Sequence, residues 1–161
     1  HNLNHGIDVG EKRIGDPTSF FTGVGLDPNA VNPANEIHRL HLKKEAGAEY
    51  LITQPVFDVP SLESFLEKAD TSGMYLIAGI WPLVSLRNAE FMKNEVPGVT
   101  VPDEVIAQIA RFESREDQLK AGIAIACSMV DRVSGFVNGI QVSAPFGKYD
   151  LAIQVARALS V

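Results

Sequence analysis

The chain is poor in the features that mark secreted, membrane-bound or nucleic-acid-binding proteins. Its 161 residues include one cysteine, Cys127, so no internal disulfide can form, which fits a reducing compartment. Lys and Arg total 14 against 20 Asp and Glu, whereas a nucleic-acid partner requires clustered cations. No run of about 18 apolar residues would span a membrane, and residues 1–15 lack the apolar stretch of a signal peptide. These absences predict a cytoplasmic protein with neither nucleic acid nor membrane as a partner.

Several catalytic motifs are missing as well. No serine stands with a paired histidine and aspartate at usable positions, and no phosphate loop carries its lysine. Gly23-Val24-Gly25 matches only part of a dinucleotide fingerprint, so these glycines are better explained by close approach of the backbone to a bound ring. His38 and His41 have the spacing of two metal ligands on a helix but no third ligand, and a solvated helix surface is the preferred interpretation.

What the sequence does contain is an alternation of short apolar runs with helical periodicity. The pattern predicts strands at 19–26, 49–54, 74–80 and 139–143, and the first of them is expected to be buried on both faces. It predicts one helix at 33–46, one that begins after residue 58, one at 85–93, two between 97 and 135, and one at the end of the chain. Strands that alternate with helices pair in parallel. The predicted fold class is therefore α/β, one domain over 1–161. Four units amount to about half of an eight-stranded TIM barrel, which typically needs about 250 residues.

Distinctive motifs follow each predicted strand. They are Gly23–Pro28, Ile52–Asp58, Ala78–Pro82 and Asn138–Ala144. Ligand groups of α/β proteins lie on the loops after the strands, because the carboxyl ends of parallel strands share one edge of the sheet. We therefore expect the four strand ends to converge on one cavity that holds flat ring systems.

Gln54 carries the sharpest signal among these motifs. An amide at the end of a buried strand donates and accepts hydrogen bonds at once, as a pterin, a nicotinamide carboxamide or a flavin edge would require. The alternative is a glutamine bonded to neighbouring backbone. Gln141 and Ser143, two apart on the last strand, face one way and are expected to point toward the same cavity.

Three other residues have a structural and a functional interpretation. Trp81 could form the wall of a pocket or simply pack in the core. Asp58 is expected to cap a helix rather than act as a general acid. Cys127 is expected to be a core thiol rather than a reactive one.

Several of these segments together resemble the methylenetetrahydrofolate reductase family. The similar stretches are Lys43–Asp58, Ala78–Asn88 and Gly139–Gly147, with Asn2–Gly6 and Pro17–Phe21 similar to the bacterial branch. That branch includes forms fused to a homocysteine S-methyltransferase. The resemblance extends over essentially the whole chain.

The resemblance implies a flavin-dependent (βα)8 TIM barrel of which this chain supplies about the last four βα units, a half barrel plus extra helices. The implied activity is reduction of 5,10-methylenetetrahydrofolate to 5-methyltetrahydrofolate, with NADH or NADPH as reductant and FAD as cofactor. Gln54 matches the glutamine that contacts both pterin and nicotinamide, and it would orient the reactants.

The other implied site residues fall into two groups. The positions that match cofactor contacts are Asp27, Glu36, Arg39 and Lys43, and those that match substrate contacts are Gln54, Pro82, Leu86, Ser143 and Phe146. Leu86 stands where some members carry phenylalanine, and Phe146 where some relatives place arginine. The folate contacts at these two loops are therefore expected to differ from those of the relatives.

The resemblance also implies that a partner is needed. The family's acid that protonates folate, its aspartate near the flavin and much of the FAD cradle belong to the first half of the barrel. We therefore expect a fragment that is inactive without that N-terminal half. One alternative is an inactive half-barrel interaction module that pairs with a copy of itself or another chain. Another is a different flavin or folate barrel oxidoreductase.

Overall fold

The computed structural model describes residues 2–159. The strands are β1 (Gly23–Leu26), β2 (Tyr50–Pro55), β3 (Tyr75–Ile80) and β4 (Gly139–Val142). The helices are α1 (Pro33–Glu45), α2 (Val59–Leu66), α3 (Leu86–Glu95), α4 (Asp103–Ala110), α5 (Arg115–Val133) and α6 (Tyr149–Ala156), with short 3-10 helices at Asn2–His5 and Pro145–Gly147. The strands form one parallel sheet in the order β1-β2-β3-β4. The predicted alternation of parallel strands and helices is confirmed.

The helices begin where local capping signals predict. Asp58 accepts a hydrogen bond from the backbone N–H of Ser61 at 3.1 Å, and Ser85 accepts one from Asn88 at 3.1 Å. Such caps satisfy backbone donors that the first helical turn leaves free. The prediction that Asp58 is a helix cap is confirmed.

The first strand is shorter than predicted. It begins at Gly23 rather than residue 19, because Thr18 and Phe20 bond to the N-terminal segment instead of the sheet. Asn4 accepts hydrogen bonds from the Phe20 N–H at 2.9 Å and the Thr18 hydroxyl at 2.7 Å. Its amide also donates to the Phe20 carbonyl at 2.7 Å.

One face of the sheet is covered by helices. Strand residues that point to this face are almost completely buried: Leu26, Leu51, Leu76, Ala78 and Ile80 are 0 to 5% exposed. The alternate residues belong to the other face, where Gly23, Gly25, Gln54, Tyr75 and Gln141 are exposed. The prediction of a first strand buried on both faces is wrong, because no described element covers this second face. The sheet resembles a section of barrel wall seen from inside.

The additional helices α4 and α5 build a second layer beside the strand ends. A cluster of buried side chains joins α3, α4 and α5 to the loops after β2 and β3; it includes Phe57, Leu83, Met92, Ile109 and Ile125. Gly122 allows α5 to approach closely, since an added Cβ there would stand 1.7 Å from the Leu83 carbonyl oxygen. None of the described helices has the length and apolar character needed to cross a membrane.

Cys127 lies on the inner side of α5. It is partly buried and packs against the core cluster that contains Ala126 and Val130. Burial raises the pKa of its thiol, with a smaller contribution from the Asp131 carboxylate. A raised pKa lowers the fraction of thiolate and therefore the reactivity of the thiol, which agrees with the prediction of a core thiol.

Candidate functional site

A cavity of about 480 Å³ lies at the carboxyl ends of β2, β3 and β4. Its strand-side residues are Thr53, Gln54, Pro55, Trp81, Gln141 and Ser143, and its remaining wall consists of Asn88, Phe91, Met92, Val96, Val99 and Phe146. Small-molecule sites typically have volumes of about 300–1,000 Å³ and mostly apolar walls with a few polar groups. The cavity has both properties. We call it the strand-tip cavity.

The ends of β2 and β3 are joined by an irregular contact. The Thr53 hydroxyl accepts a hydrogen bond from the Gly79 N–H at 2.9 Å, and the register of the two strands shifts between Ile52 and Pro55. An added Cβ on Gly79 would stand 2.5 Å from the Thr53 carbonyl oxygen, so the contact requires glycine. This irregularity fixes the backbone on both sides of Gln54.

The Gln54 side chain is exposed and lines the strand-tip cavity. Among residues 2–159 its amide has no hydrogen-bond partner, so the alternative of a glutamine bonded to neighbouring backbone does not describe it. Both its donor and its acceptor are free for a ligand.

Gln141 and Ser143 lie on the same wall as Gln54. The Gln141 Nε2 donates to Ser143 Oγ at 3.3 Å, which confirms that the two side chains face one way. The predicted convergence of these residues with Gln54 on one cavity is confirmed. Convergence of all four strands is wrong, since no residue of β1 lines this cavity.

Helix α3 supplies the wall opposite the strand ends. Its first turn is fixed by Asn88, which is 8% exposed and whose Oδ1 accepts from the Val84 N–H at 3.3 Å. The Leu86 N–H donates to Gln118 Oε1 on α5 at 3.0 Å. Phe91 and Met92 then extend toward the strand ends. Sequence reasoning predicted this helix but missed its role, which depends on contacts more than 30 positions apart in the chain.

The remaining predicted substrate residues occupy three different surroundings. Phe146 is 80% exposed, adopts a left-handed backbone conformation with φ of 55°, and lines the strand-tip cavity. Leu86 lines a neighbouring cavity of about 790 Å³ that shares Phe146 and also contains Arg115 and Lys148. Pro82 is less than 2% exposed and lies on neither wall.

The four predicted cofactor residues form a separate cluster between β1 and α1. The Glu36 carboxylate is 4% exposed and lies 3.1 Å from Lys43 Nζ and 3.6 Å from Arg39. The same Lys43 ammonium donates to the Gly25 carbonyl at 2.7 Å. The Asp27 N–H donates to Glu36 at 3.3 Å. The structure thus brings Asp27, Glu36, Arg39 and Lys43 together.

The Asp27 carboxylate is the electrostatically perturbed member of this cluster. Burial raises its pKa, and the nearby Glu36 carboxylate raises it further, while the Asn29 N–H and the two cations act in the opposite direction. An added Cβ on Gly98, in the loop after α3, would stand 2.7 Å from an Asp27 carboxylate oxygen. Because Val99 lines the strand-tip cavity, this loop connects the two groups of predicted site residues.

His38 and His41 lie on the exposed side of α1. The His41 Nε2 is 3.3 Å from Glu45, one turn further along the same helix. This contact with Glu45 fits the preferred interpretation of His41 as a residue of the solvated helix surface.

Comparisons with known proteins agree with this arrangement. The family model described as methylenetetrahydrofolate reductase matches residues 23–142, which contain all four strands. No curated protein sequence matches the chain. A solved structure with the same fold belongs to an uncharacterized protein from Clostridium thermocellum, described as binding two copies of 5-methyl-5,6,7,8-tetrahydrofolic acid. The TM-score is 0.56 at 21% identity, over 83% of this chain and 51% of the other.

The chain therefore spans about half the length of that structural relative. Its four parallel βα units are consistent with part of the barrel typical of such proteins. Because the family model extends over most of the sequence, the chain belongs to the methylenetetrahydrofolate reductase family.

Proposed function

We propose that the chain is the carboxyl half of a catalytic barrel that reduces 5,10-methylenetetrahydrofolate to 5-methyltetrahydrofolate with NAD(P)H, as part of a longer cytoplasmic protein of the bacterial branch. The observation that carries the proposal is the free Gln54 amide in the strand-tip cavity of a chain in this family. The description of the Clostridium thermocellum protein, which binds a methylated tetrahydrofolate, supports folate as the ligand class.

The chemistry of the strand-tip cavity suits a pterin ring. Such a ring is flat and carries donors and acceptors along one edge, so it requires apolar faces and an amide at its rim. Phe91 and Phe146 offer aromatic surface, and Gln54 offers both hydrogen-bonding functions. Gln54 would hold the substrate ring in place for hydride transfer rather than take part in bond making.

The cluster around α1 fits part of a phosphate-bearing cofactor such as FAD, which when bound would supply the hydride chemistry. Arg39 is 60% exposed and has only a long contact with Glu36, so its guanidinium can bind a pyrophosphate or ribose oxygen. Lys43 is partly committed to Glu36 and Gly25. Two carboxylates and two cations leave the cluster without net charge, so tight retention of FAD would require residues from the N-terminal half of the barrel.

Three measurements on purified protein test this proposal. Flavin absorbance, with FAD titration, is measured for the chain alone and for the chain joined to its N-terminal half. The joined protein is then assayed for NAD(P)H oxidation with menadione and for methylenetetrahydrofolate reduction. We expect weak FAD binding by the chain alone and folate reduction only by the joined protein. A joined protein that binds FAD and oxidises NAD(P)H without reducing the folate would instead identify another flavin barrel oxidoreductase.

The second candidate is an inactive interaction module, favoured by the uncovered sheet face. At the amino end of that face Phe21 stacks on Tyr50, with ring centroids 5.2 Å apart, and Tyr75 is 55% exposed. An exposed aromatic patch is typical of an interface. A colourless dimer that gains no flavin on titration would support this module, and a yellow protein would contradict it.

A further inference from the structure

The indole nitrogen of Trp81 is an unexplained feature of the strand-tip cavity. Trp81 directly follows β3 and contributes to the cavity wall. Its Nε1 is shielded from solvent and, among residues 2–159, is the one buried side-chain polar atom without a hydrogen-bond partner. Buried donors are nearly always paired, because removing an N–H from water without replacing the bond is costly.

The side chains around Trp81 explain why its indole N–H has no hydrogen-bond acceptor. The indole packs against a cluster of apolar residues that includes Leu83, Ala89 and Met92, whose side chains offer no acceptor stronger than the Met92 thioether sulfur. Trp81 also contributes to the wall of the strand-tip cavity. A bound molecule in that cavity is therefore the natural source of an acceptor.

We propose that the Trp81 indole N–H donates a hydrogen bond to an acceptor on the bound ring, a carbonyl oxygen or a ring nitrogen of the pteridine class. This inference rests on the proposed function. Trp81 then determines specificity together with Gln54, since a planar ring without an acceptor at that position would leave the buried donor unpaired.

Access to the nitrogen requires a local movement. Because Nε1 is closed to solvent in the free chain, an acceptor reaches it only when the indole or a neighbouring side chain turns. Phe91 and Phe146 belong to the same wall and are 55% and 80% exposed, so both have room to move. Ligand binding should therefore change the environment of the indole as well as pair its N–H.

Trp81 is the only tryptophan of the chain, which makes a direct test available. The indole nitrogen is labelled with 15N, and 5-methyltetrahydrofolate is titrated while calorimetry measures binding independently. We expect the single indole N–H resonance to shift downfield as the ligand binds.

A matched substitution separates the N–H from the ring. Supplying benzothienylalanine in place of tryptophan changes only position 81, replacing N–H by sulfur while keeping the shape of the ring. We expect the dissociation constant to rise about three- to tenfold, the usual net contribution of one hydrogen bond. In Phe91→Leu, which removes an aromatic ring from the same wall but no donor, the indole resonance should still shift when the ligand is bound.

The outcomes are distinguishable. Binding of 5-methyltetrahydrofolate with an unmoved indole resonance and equal affinity of the benzothienylalanine protein would overturn the assignment of Trp81 and leave the proposed function standing. Absence of calorimetric binding by the parent chain, with or without its N-terminal half, would overturn both.

Discussion

The two faces of the sheet consist of alternate residues of the same strands, yet they differ in burial and in residue type. On the helix-covered face Leu51 and Ala78 are 0% exposed and belong to the core. On the open face Gln54 is exposed and Tyr75 is 55% exposed. Burial of apolar side chains stabilises the chain on the first face, whereas the second leaves polar and aromatic groups exposed. We therefore propose that the functional groups of the sheet belong to the open face.

The open face itself differs between its two ends. The amino end carries the aromatic residues Phe21, Tyr50 and Tyr75, and the carboxyl end carries the amides Gln54 and Gln141. Aromatic side chains suit association with another apolar surface, and side-chain amides suit a polar ring. We therefore propose that the amino end of the open face serves assembly and the carboxyl end serves ligand binding.

The largest expected effect is a loss of stability when a buried side chain of the helix-covered face is shortened. Leu51→Ala should lower the free energy of unfolding by about 2–5 kcal/mol, because a buried leucine leaves a cavity that neighbours fill only in part. Ile52→Ala, one residue along on the open face, is the matched control and should cost clearly less. Urea denaturation measures both. Equal losses would mean that the open face is covered in solution by another chain.

The close contact between β2 and β3 gives the next effect. Gly79→Ala should destabilise the chain by about 1–3 kcal/mol, because the new methyl group would meet the Thr53 carbonyl oxygen. Gly25→Ala is the control on the same face, where an added Cβ meets nothing within 4 Å, and it should stay within about 0.5 kcal/mol. Similar thermal unfolding of the two variants would show that the strand ends are not held tightly.

Gln54→Ala should separate binding from stability. Loss of the amide should raise the dissociation constant of 5-methyltetrahydrofolate by about tenfold while the free energy of unfolding changes by less than about 0.5 kcal/mol. In the joined protein it should weaken folate reduction more than flavin retention. Gln108→Ala, on the exposed surface of α4, is the control. Equal folate reduction by the Gln54 variant and the parent would refute the role given to the amide.

The smallest effect concerns pH. The folded chain raises the pKa of Asp27, so the folded state holds this proton more tightly than the unfolded chain does. This tighter proton binding stabilises the folded state fully below about pH 3.9, the ordinary pKa of an aspartate. The stabilisation is lost as pH rises through the higher pKa that Asp27 has in the folded state. Asp27→Asn should therefore raise the melting temperature slightly at pH 7, with a gain that disappears near pH 3.5. A gain independent of pH would contradict burial of the charge as its cause.

Local signals in the sequence were sufficient for most of the fold. Asp58 is predictable as a cap because a cap depends on a residue only three positions away. The first strand was overextended because its start depends on Asn4, which bonds to Phe20 sixteen residues later. Apolar pattern alone does not contain that information.

The candidate site was predictable only in part, for the same reason. The shared face of Gln54, Gln141 and Ser143 follows from strand alternation and parallel pairing. The wall formed by α3 depends on the hydrogen bond between Leu86 and Gln118, 32 positions apart. The unpaired nitrogen of Trp81 has no signal in the sequence, since it results from what surrounds the side chain in three dimensions.

The most direct test of the central claim is a crystal structure of the chain, with its N-terminal half if binding requires it, in complex with 5-methyltetrahydrofolate. We predict that the pterin ring lies between the ends of β2 to β4 and α3, with its polar edge within hydrogen-bonding distance of the Gln54 amide. A ring bound at another surface, with the Gln54 side chain left in water, would contradict the account.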